Sequence, residues 1–212
     1  MEEKTPLAAV EEVLKESPQR GFKETLDIAF NLKDLDTSLP KNRVEDEVVL
    51  PKGRGRIVKV AVFGSPEMVT RAKTSADLTI LPDQLDVLFK DKRTSRKQVD
   101  AIDFFLAEAP LMPTIGKRLG TILGPRGKMP KPIAPGSDPT ALIQSLKRTV
   151  RVRNKGKRTF HVTVGTRDMP PEDLAQNIQA VLDRLTAKLE RGKNNLGSVY
   201  LKSTMGKSVR LL

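Results

Sequence analysis

His161 is the one histidine of this chain and there is no cysteine, so general-base, thiolate and zinc-ligand chemistry is reduced to a single imidazole. It sits in Thr159-Phe160-His161-Val162-Thr163, on the side of a strand opposite Phe160 and Val162. A lone histidine there is ordinarily a surface or packing residue. No pair of Asp or Glu stands at the spacing of a metal or acid/base motif. Catalysis, a metal site and a cofactor are therefore not expected.

Gly124-Pro125-Arg126-Gly127-Lys128-Met129-Pro130-Lys131-Pro132 sets glycine amides beside Arg126 and Lys128, which are the ingredients of a phosphate cradle. A P-loop needs Gly, four residues, then Gly-Lys and a hydroxyl residue. Here Gly127-Lys128 follows Gly124 too soon, and Met129 stands where the hydroxyl should. Phe63-Gly64-Ser65 likewise has one glycine, not the dinucleotide pattern. The basic loop reads as an RNA-backbone contact or as a rigid turn. Ser203-Thr204-Met205-Gly206-Lys207-Ser208 would let a backbone approach closely and offers a polarizable Met to a sugar or base edge; by composition alone it is a polar turn.

The charge points to a polyanionic partner. Lys and Arg number 38 against 26 Asp and Glu, a formal net of +12. Residues 1–63 carry 11 basic and 12 acidic side chains, residues 64–148 carry 14 and 9, and residues 149–212 carry 13 and 5, so the nets are −1, +5 and +8. The excess concentrates near the C-terminal end, at Arg151, Arg153, Lys155, Lys157, Arg158, Lys202, Lys207 and Arg210, where a nucleic-acid backbone is expected to dock. With one Tyr, no Trp and 7 Phe, a platform that stacks many bases is poorly supplied, which favours structured nucleic acid over single strands. No apolar run approaches the roughly 18 residues of a membrane span, and the N-terminus lacks the pattern of a signal peptide, so a cytoplasmic protein without membrane contact is expected.

The elements that must position these residues change character along the chain. Leu7, Val10 and Leu14 predict a short amphipathic helix with Thr5 as its N-cap. Phe22, Leu26, Ile28, Phe30 and Leu32 predict a half-buried strand; Glu24 breaks its apolar face, either as a frayed strand end or as a functional carboxylate. The polar loop Pro40-Lys41-Asn42-Arg43 leads to a strand over 47–50 and the turn Pro51-Lys52-Gly53-Arg54-Gly55-Arg56. The apolar run 57–63 reads as a buried parallel strand, with Ser65 capping the helix that follows. Helix-like and strand-like segments then alternate over 67–73, 77–81, 83–90, 101–106, 115–123 and 138–147, predicting a small three-layer α/β unit. Alternation returns at Val150 and Val152, which with Phe160, Val162 and Val164 predict a hairpin. A helix over 171–190 and a final strand pair at 198–201 and 208–211 complete the chain.

The expected fold class is thus α/β: an α+β terminal domain from residues 1–63 and 150–212, with an α/β domain, 64–149, inserted in it. The two crossings, near Phe63-Gly64 and near 147–150, predict a hinge.

In this order along the chain, Phe22-Lys23-Glu24-Thr25, Val49-Leu50-Pro51-Lys52-Gly53-Arg54-Gly55, Leu119-Gly120-Thr121-Ile122-Leu123-Gly124-Pro125-Arg126-Gly127-Lys128-Met129-Pro130 and Ser198-Val199-Tyr200-Leu201-Lys202-Ser203-Thr204-Met205-Gly206 resemble the ribosomal protein L-one family in its short, archaeal-like form. Each motif is weak alone; their combination is specific. The resemblance implies a terminal domain that grips structured large-subunit ribosomal RNA and a Rossmann-like insert. It also implies a place on the mobile side stalk, help in releasing deacylated tRNA from the exit site, repression of the protein's own messenger RNA, and a monomer when free of the ribosome. The family's RNA contacts map onto Phe22, Glu24, Thr25, His161, Ser198, Thr204, Met205 and Gly206. Arg153, Lys155, Lys157, Lys202, Arg126 and Lys128 would add sequence-independent attraction. Gly21 and Lys52 depart from the family pattern, where Lys and His are common. An enzyme using the α/β insert and an unspecific nucleic-acid chaperone are the competing classes.

Overall fold

A computed structural model describes residues 4–18, 20–36, 39, 42–88 and 92–212. Pro40 and Lys41 of the expected polar loop, and Lys90 of the expected third helix, lie outside the described residues. In chain order the elements are α1 (Pro6–Glu16), β1 (Thr25–Leu32), β2 (Glu45–Val49), β3 (Val60–Phe63), α2 (Pro66–Ala72), β4 (Leu78–Ile80), α3 (Pro82–Leu88), α4 (Lys92–Ala101) and β5 (Phe104–Glu108). They continue with α5 (Met112–Arg126), β6 (Lys131–Ile133), α6 (Thr140–Lys147), β7 (Thr149–Arg153), β8 (Thr159–Thr166), α7 (Pro171–Lys188), β9 (Leu196–Ser203) and β10 (Ser208–Arg210). The chain divides into two compact units, Met1–Arg56 with Arg148–Leu212, and Ile57–Lys147.

The first unit is built on an antiparallel sheet in the order β10-β9-β1-β8. Period-two alternation sends Leu26, Ile28 and Phe30 of β1 to one face, beside Phe160, Val162 and Val164 of β8 and Val199 and Leu201 of β9. Helices α1 and α7 cover that face with Val10, Val13, Leu174, Ile178, Val181 and Leu185. Each such side chain removed from water is worth roughly 1.5–3 kcal/mol, and the stacked rings of Phe30 and Phe160, 5.2 Å apart, sit in this core. A ribbon of β2 and β7 adds Val48, Val150 and Val152. Buried Asn177 on α7 holds the 51–56 turn: its Oδ1 accepts from Lys52 N–H and its Nδ2 donates to Gly53 O and Val164 O. Among the described residues, no helix of this unit lies on the opposite face of the four-stranded sheet, which presents mostly polar side chains.

The second unit is a parallel sheet in the order β4-β3-β5-β6. Successive residues serve opposite layers. Ala61, Phe63, Phe105 and Ala107 pack with Leu85, Val99, Ile115 and Leu119, while Val60, Val62, Phe104 and Leu106 pack with Met68, Ala72, Ile143 and Leu146. This is the three-layer arrangement expected from continuous apolar strands.

Several expectations need correction. Helix α1 buries Ala9, Val10 and Val13, not Leu7, and Thr5 makes no side-chain cap. Strand β1 starts at Thr25 and leaves Phe22 outside it, 50% exposed. Residues 57–63 belong with the second unit, because β3 pairs with β4 and β5; only Val60–Phe63 is strand, and Ile57 is 85% exposed. Strands β7 and β8 are not a hairpin, since β7 pairs with β2 and β8 with β1. Ser65 does occupy the N-cap of α2, but its Oγ makes no cap hydrogen bond and donates instead to Glu108 Oε1 at 2.7 Å. The glycine-proline stretch is largely not a loop. Helix α5 runs through Pro125 to a left-handed C-cap at Gly127, and β6 follows. Helix α4, with its polar composition and few buried positions, and β6, with Pro132 inside it, were not foreseen.

Candidate nucleic-acid interface

Across the open face of the antiparallel sheet, register aligns the outward residues in rows. Asn31 of β1 lies between Thr159 of β8 and Ser198 of β9, Ala29 lies between His161 and Tyr200, and Asp27 lies between Thr163 and Lys202. Strand β10 extends two rows, with Arg210 beside Tyr200 and Ser208 beside Lys202. The Asn31 amide bridges its neighbours, donating to Ser198 Oγ at 2.8 Å and accepting from Thr159 Oγ1 at 2.9 Å. The rows form a surface of hydroxyl, amide and phenol groups with mixed charge.

At the β1 end, the segment before the strand meets the β9–β10 turn. Thr204 N–H donates to Thr25 O at 2.9 Å, Thr25 N–H donates to Thr204 Oγ1 at 3.1 Å, and the two hydroxyls share a hydrogen bond of 2.9 Å. Gly206 N–H closes the turn on Ser203 O. Beneath it, buried Ser203 and Ser17 share a hydroxyl hydrogen bond of 2.6 Å. A Cβ on Gly206 would overlap Ser203 Oγ outright and lie 2.8 Å from Ser17 Oγ, so glycine is required by close approach. Met205 stands at φ 60° with its side chain projecting, 77% exposed.

Glu24 is the electrostatic centre of this end. It is 1% exposed, not a frayed strand end. Its Oε1 faces Arg20 at 3.3 Å and Arg167 at 3.2 Å. Its Oε2, also buried, has no hydrogen-bond partner among the described residues. A buried carboxylate oxygen left without a donor is costly, and in folded proteins such an atom is met by an ordered water, an ion or a ligand. A cavity of about 610 Å³ lined by Arg20, Phe22, Lys23, Glu24, Arg167 and Asp168 adjoins it.

The structure therefore gathers Phe22, Glu24, Thr25, Thr204, Met205 and Gly206 at one end of the sheet and sets His161 and Ser198 on the same open face. Lys202 joins them there. Lys155 and Lys157 are exposed on the turn between β7 and β8, while Arg153 is paired with Glu45 at 2.9 Å. Arg126 and Lys128 have structural uses in the second unit. Arg126 Nε donates to Asp100 at 2.6 Å, which holds the Asp100 carboxyl below its ordinary range. Lys128 Nζ donates to the carbonyls of Val99, Asp100 and Ile102, closing the end of α4. Sequence reasoning missed Asn31, Thr159, Tyr200, Arg20 and Arg167. The outward phase of the alternation pointed to the first three; nothing local pointed to the two arginines.

The chain is thus a mixed α/β protein whose antiparallel sheet leaves one polar face open among the described residues, with a buried carboxylate at its end. The chain belongs to the ribosomal protein L1p/L10e family, which it matches over residues 13–207. It is 51% identical to large ribosomal subunit protein uL1 of Thermoplasma volcanium over 203 residues, 96% of this chain and 94% of that one. Against uL1 of Methanocella arvoryzae the identity is 46% over 213 residues, and against uL1 of Methanococcoides burtonii 50% over 213, both covering each chain in full.

Proposed function

We propose that this chain is a structural, non-catalytic protein of the large ribosomal subunit that binds folded large-subunit ribosomal RNA through the open sheet face and the turn at its end. The observation that carries the reading is Glu24 Oε2, a buried acceptor without a donor, next to the Thr25–Thr204 hydroxyl pair and the projecting Met205. A ribose 2′-hydroxyl or a base amino group supplies the missing donor. Preorganised hydroxyls and amides read the 2′-hydroxyls and shape of folded RNA, while Lys155, Lys157 and Lys202 supply attraction that is indifferent to sequence. The relatives' names support assembly into the large subunit. Family resemblance supports the mobile side stalk as the place, with roles in releasing deacylated tRNA from the exit site and in repressing the chain's own messenger RNA. It also supports a protein that is cytoplasmic and monomeric when free.

The test is a titration of the stalk region of large-subunit ribosomal RNA against a random RNA duplex of equal length, at low and near-physiological salt, for the wild type and Glu24→Gln. A wild-type preference of about a thousandfold that survives the higher salt, reduced at least tenfold in E24Q, is expected. Equal, salt-sensitive binding to both RNAs would leave an unspecific basic protein.

A further inference from the structure

We infer that Arg20 is the positioning residue of the interface: its guanidinium holds the Thr204–Met205 turn and the Glu24 carboxylate in the form that RNA meets, without itself serving as a phosphate contact. The inference rests on the function proposed above.

The turn needs such a restraint. Gly206 N–H bonds Ser203 O, so Met205 is the third of four residues in a β-turn, at φ 60°. A positive φ there suits Gly or Asn. A bulky side chain is strained in that place and stays only when its surroundings over-determine the conformation. Arg20 is the side chain that does so. Its Nη1 donates to Thr204 O at 2.7 Å and its Nη2 donates to Met205 O at 3.1 Å. With both carbonyls turned inward onto one rigid fork, neither peptide can flip, and the Met205 side chain is kept pointing to solvent.

The same Nη1 lies 3.3 Å from Glu24 Oε1, so one planar group ties the turn to the carboxylate, whose Oε2 is buried without a donor among the described residues. Arg20 is thereby engaged with three protein oxygens while its side chain is 25% exposed, which is a poor disposition for a mobile phosphate contact. Arg167, the other guanidinium on Glu24, donates to the same Oε1 at 3.2 Å and otherwise reaches a different stretch of backbone. It donates to Pro18 O and Ser17 O, both at 2.9 Å, and thus ties the segment after α1. Lysine cannot reproduce a planar fork that reaches two carbonyls and a carboxylate, so charge alone does not replace Arg20.

The experiment titrates full-length wild type, Arg20→Met and Arg20→Lys with the stalk-region RNA and with the random duplex at several salt concentrations, and follows hydrogen exchange of the Gly206 amide in each free protein. The expected result for R20M is at least tenfold weaker binding to the stalk RNA, an unchanged slope of log affinity against log salt, duplex binding within twofold of wild type, and faster Gly206 exchange. R20K should recover little of the lost affinity. A salt slope shallower by about one on both RNAs would make Arg20 a phosphate contact and overturn the inference, as would unchanged stalk affinity. If R20M does not fold, R20K decides: a tenfold loss at unchanged slope supports positioning, and wild-type affinity sinks it. A wild type that fails to prefer the stalk RNA defeats the proposed function itself. Full preference retained in the Arg20 variants defeats only this inference.

Discussion

Gly206→Ala probes the packing under the turn. The new methyl would collide with Ser203 Oγ and come within 2.8 Å of Ser17 Oγ, and both serines are buried. Overpacking of a tight interior costs about 1–3 kcal/mol. Pushing the hydroxyls apart breaks their 2.6 Å hydrogen bond, and leaving a buried hydroxyl unsatisfied adds about 1–3 kcal/mol. Because the turn can relax toward solvent, the expected loss is about 2–4 kcal/mol. Urea unfolding followed by circular dichroism measures it. The decisive comparison is the double variant with Ser203→Ala, which removes the nearest obstructing oxygen. Steric conflict predicts that G206A/S203A is more stable than the sum of the single changes by at least about 1 kcal/mol. A neutral G206A, or strict additivity in the double variant, would refute the account of why glycine stands here.

Other perturbations separate structural cations from RNA-facing ones. Lys128→Met removes three donations to the carbonyls at the end of α4; it should destabilise the second unit by about 1–3 kcal/mol in a denaturant titration, with ribosomal RNA affinity and its salt slope unchanged. Replacing Lys155 and Lys157 with Gln should weaken binding to stalk RNA and random duplex alike and lower the salt slope by about one per lysine, measured by filter binding across a salt series. Burial tends to raise the Asp46 carboxyl, but the hydrogen bond from Arg184, the Glu47 amide and the charge of Lys188 outweigh it, so its value is lowered from 3.8. A depressed folded value means stability that is present above 3.8 and lost as pH falls through the folded value. The stability difference between wild type and Asp46→Asn should therefore shrink when unfolding is followed from neutral pH to below that value, and a constant difference would contradict it.

What could be read in the sequence was what local pattern carries. Leu26, Ile28 and Phe30 alternate with Asp27, Ala29 and Asn31, and that period announces a half-buried strand whoever its neighbours are. The continuous run ending at Phe63 announces a strand covered on both faces, and this fixes the mixed α/β class. Partners at long range are a different matter. The turn at Asn154-Lys155-Gly156-Lys157 looks like a hairpin turn, yet the strands it joins bond to β2 and β1, a choice made by tertiary packing. Pro125 reads as a helix stop, but α5 continues through it at the cost of one backbone donation, and Gly127, in the left-handed conformation, ends the helix instead. Glu24 looked like a break in an apolar face because Arg167 stands 143 residues away. Arg126 and Lys128 looked available to phosphate because Asp100 and the end of α4 are likewise distant in sequence. The motif residues of the proposed interface were suggested by family resemblance; the guanidinium and hydroxyl network beneath them was not legible, since it exists only after folding.

The most direct test of the central claim is amide hydrogen exchange of the full chain with and without the stalk region of large-subunit ribosomal RNA. Protection on binding over residues 22–31, 159–163 and 198–206, with little change over 92–128, is the predicted result. Protection confined to the basic turn at 153–158, with Thr25 and Thr204–Gly206 unaffected, would contradict the sheet face as the site of recognition.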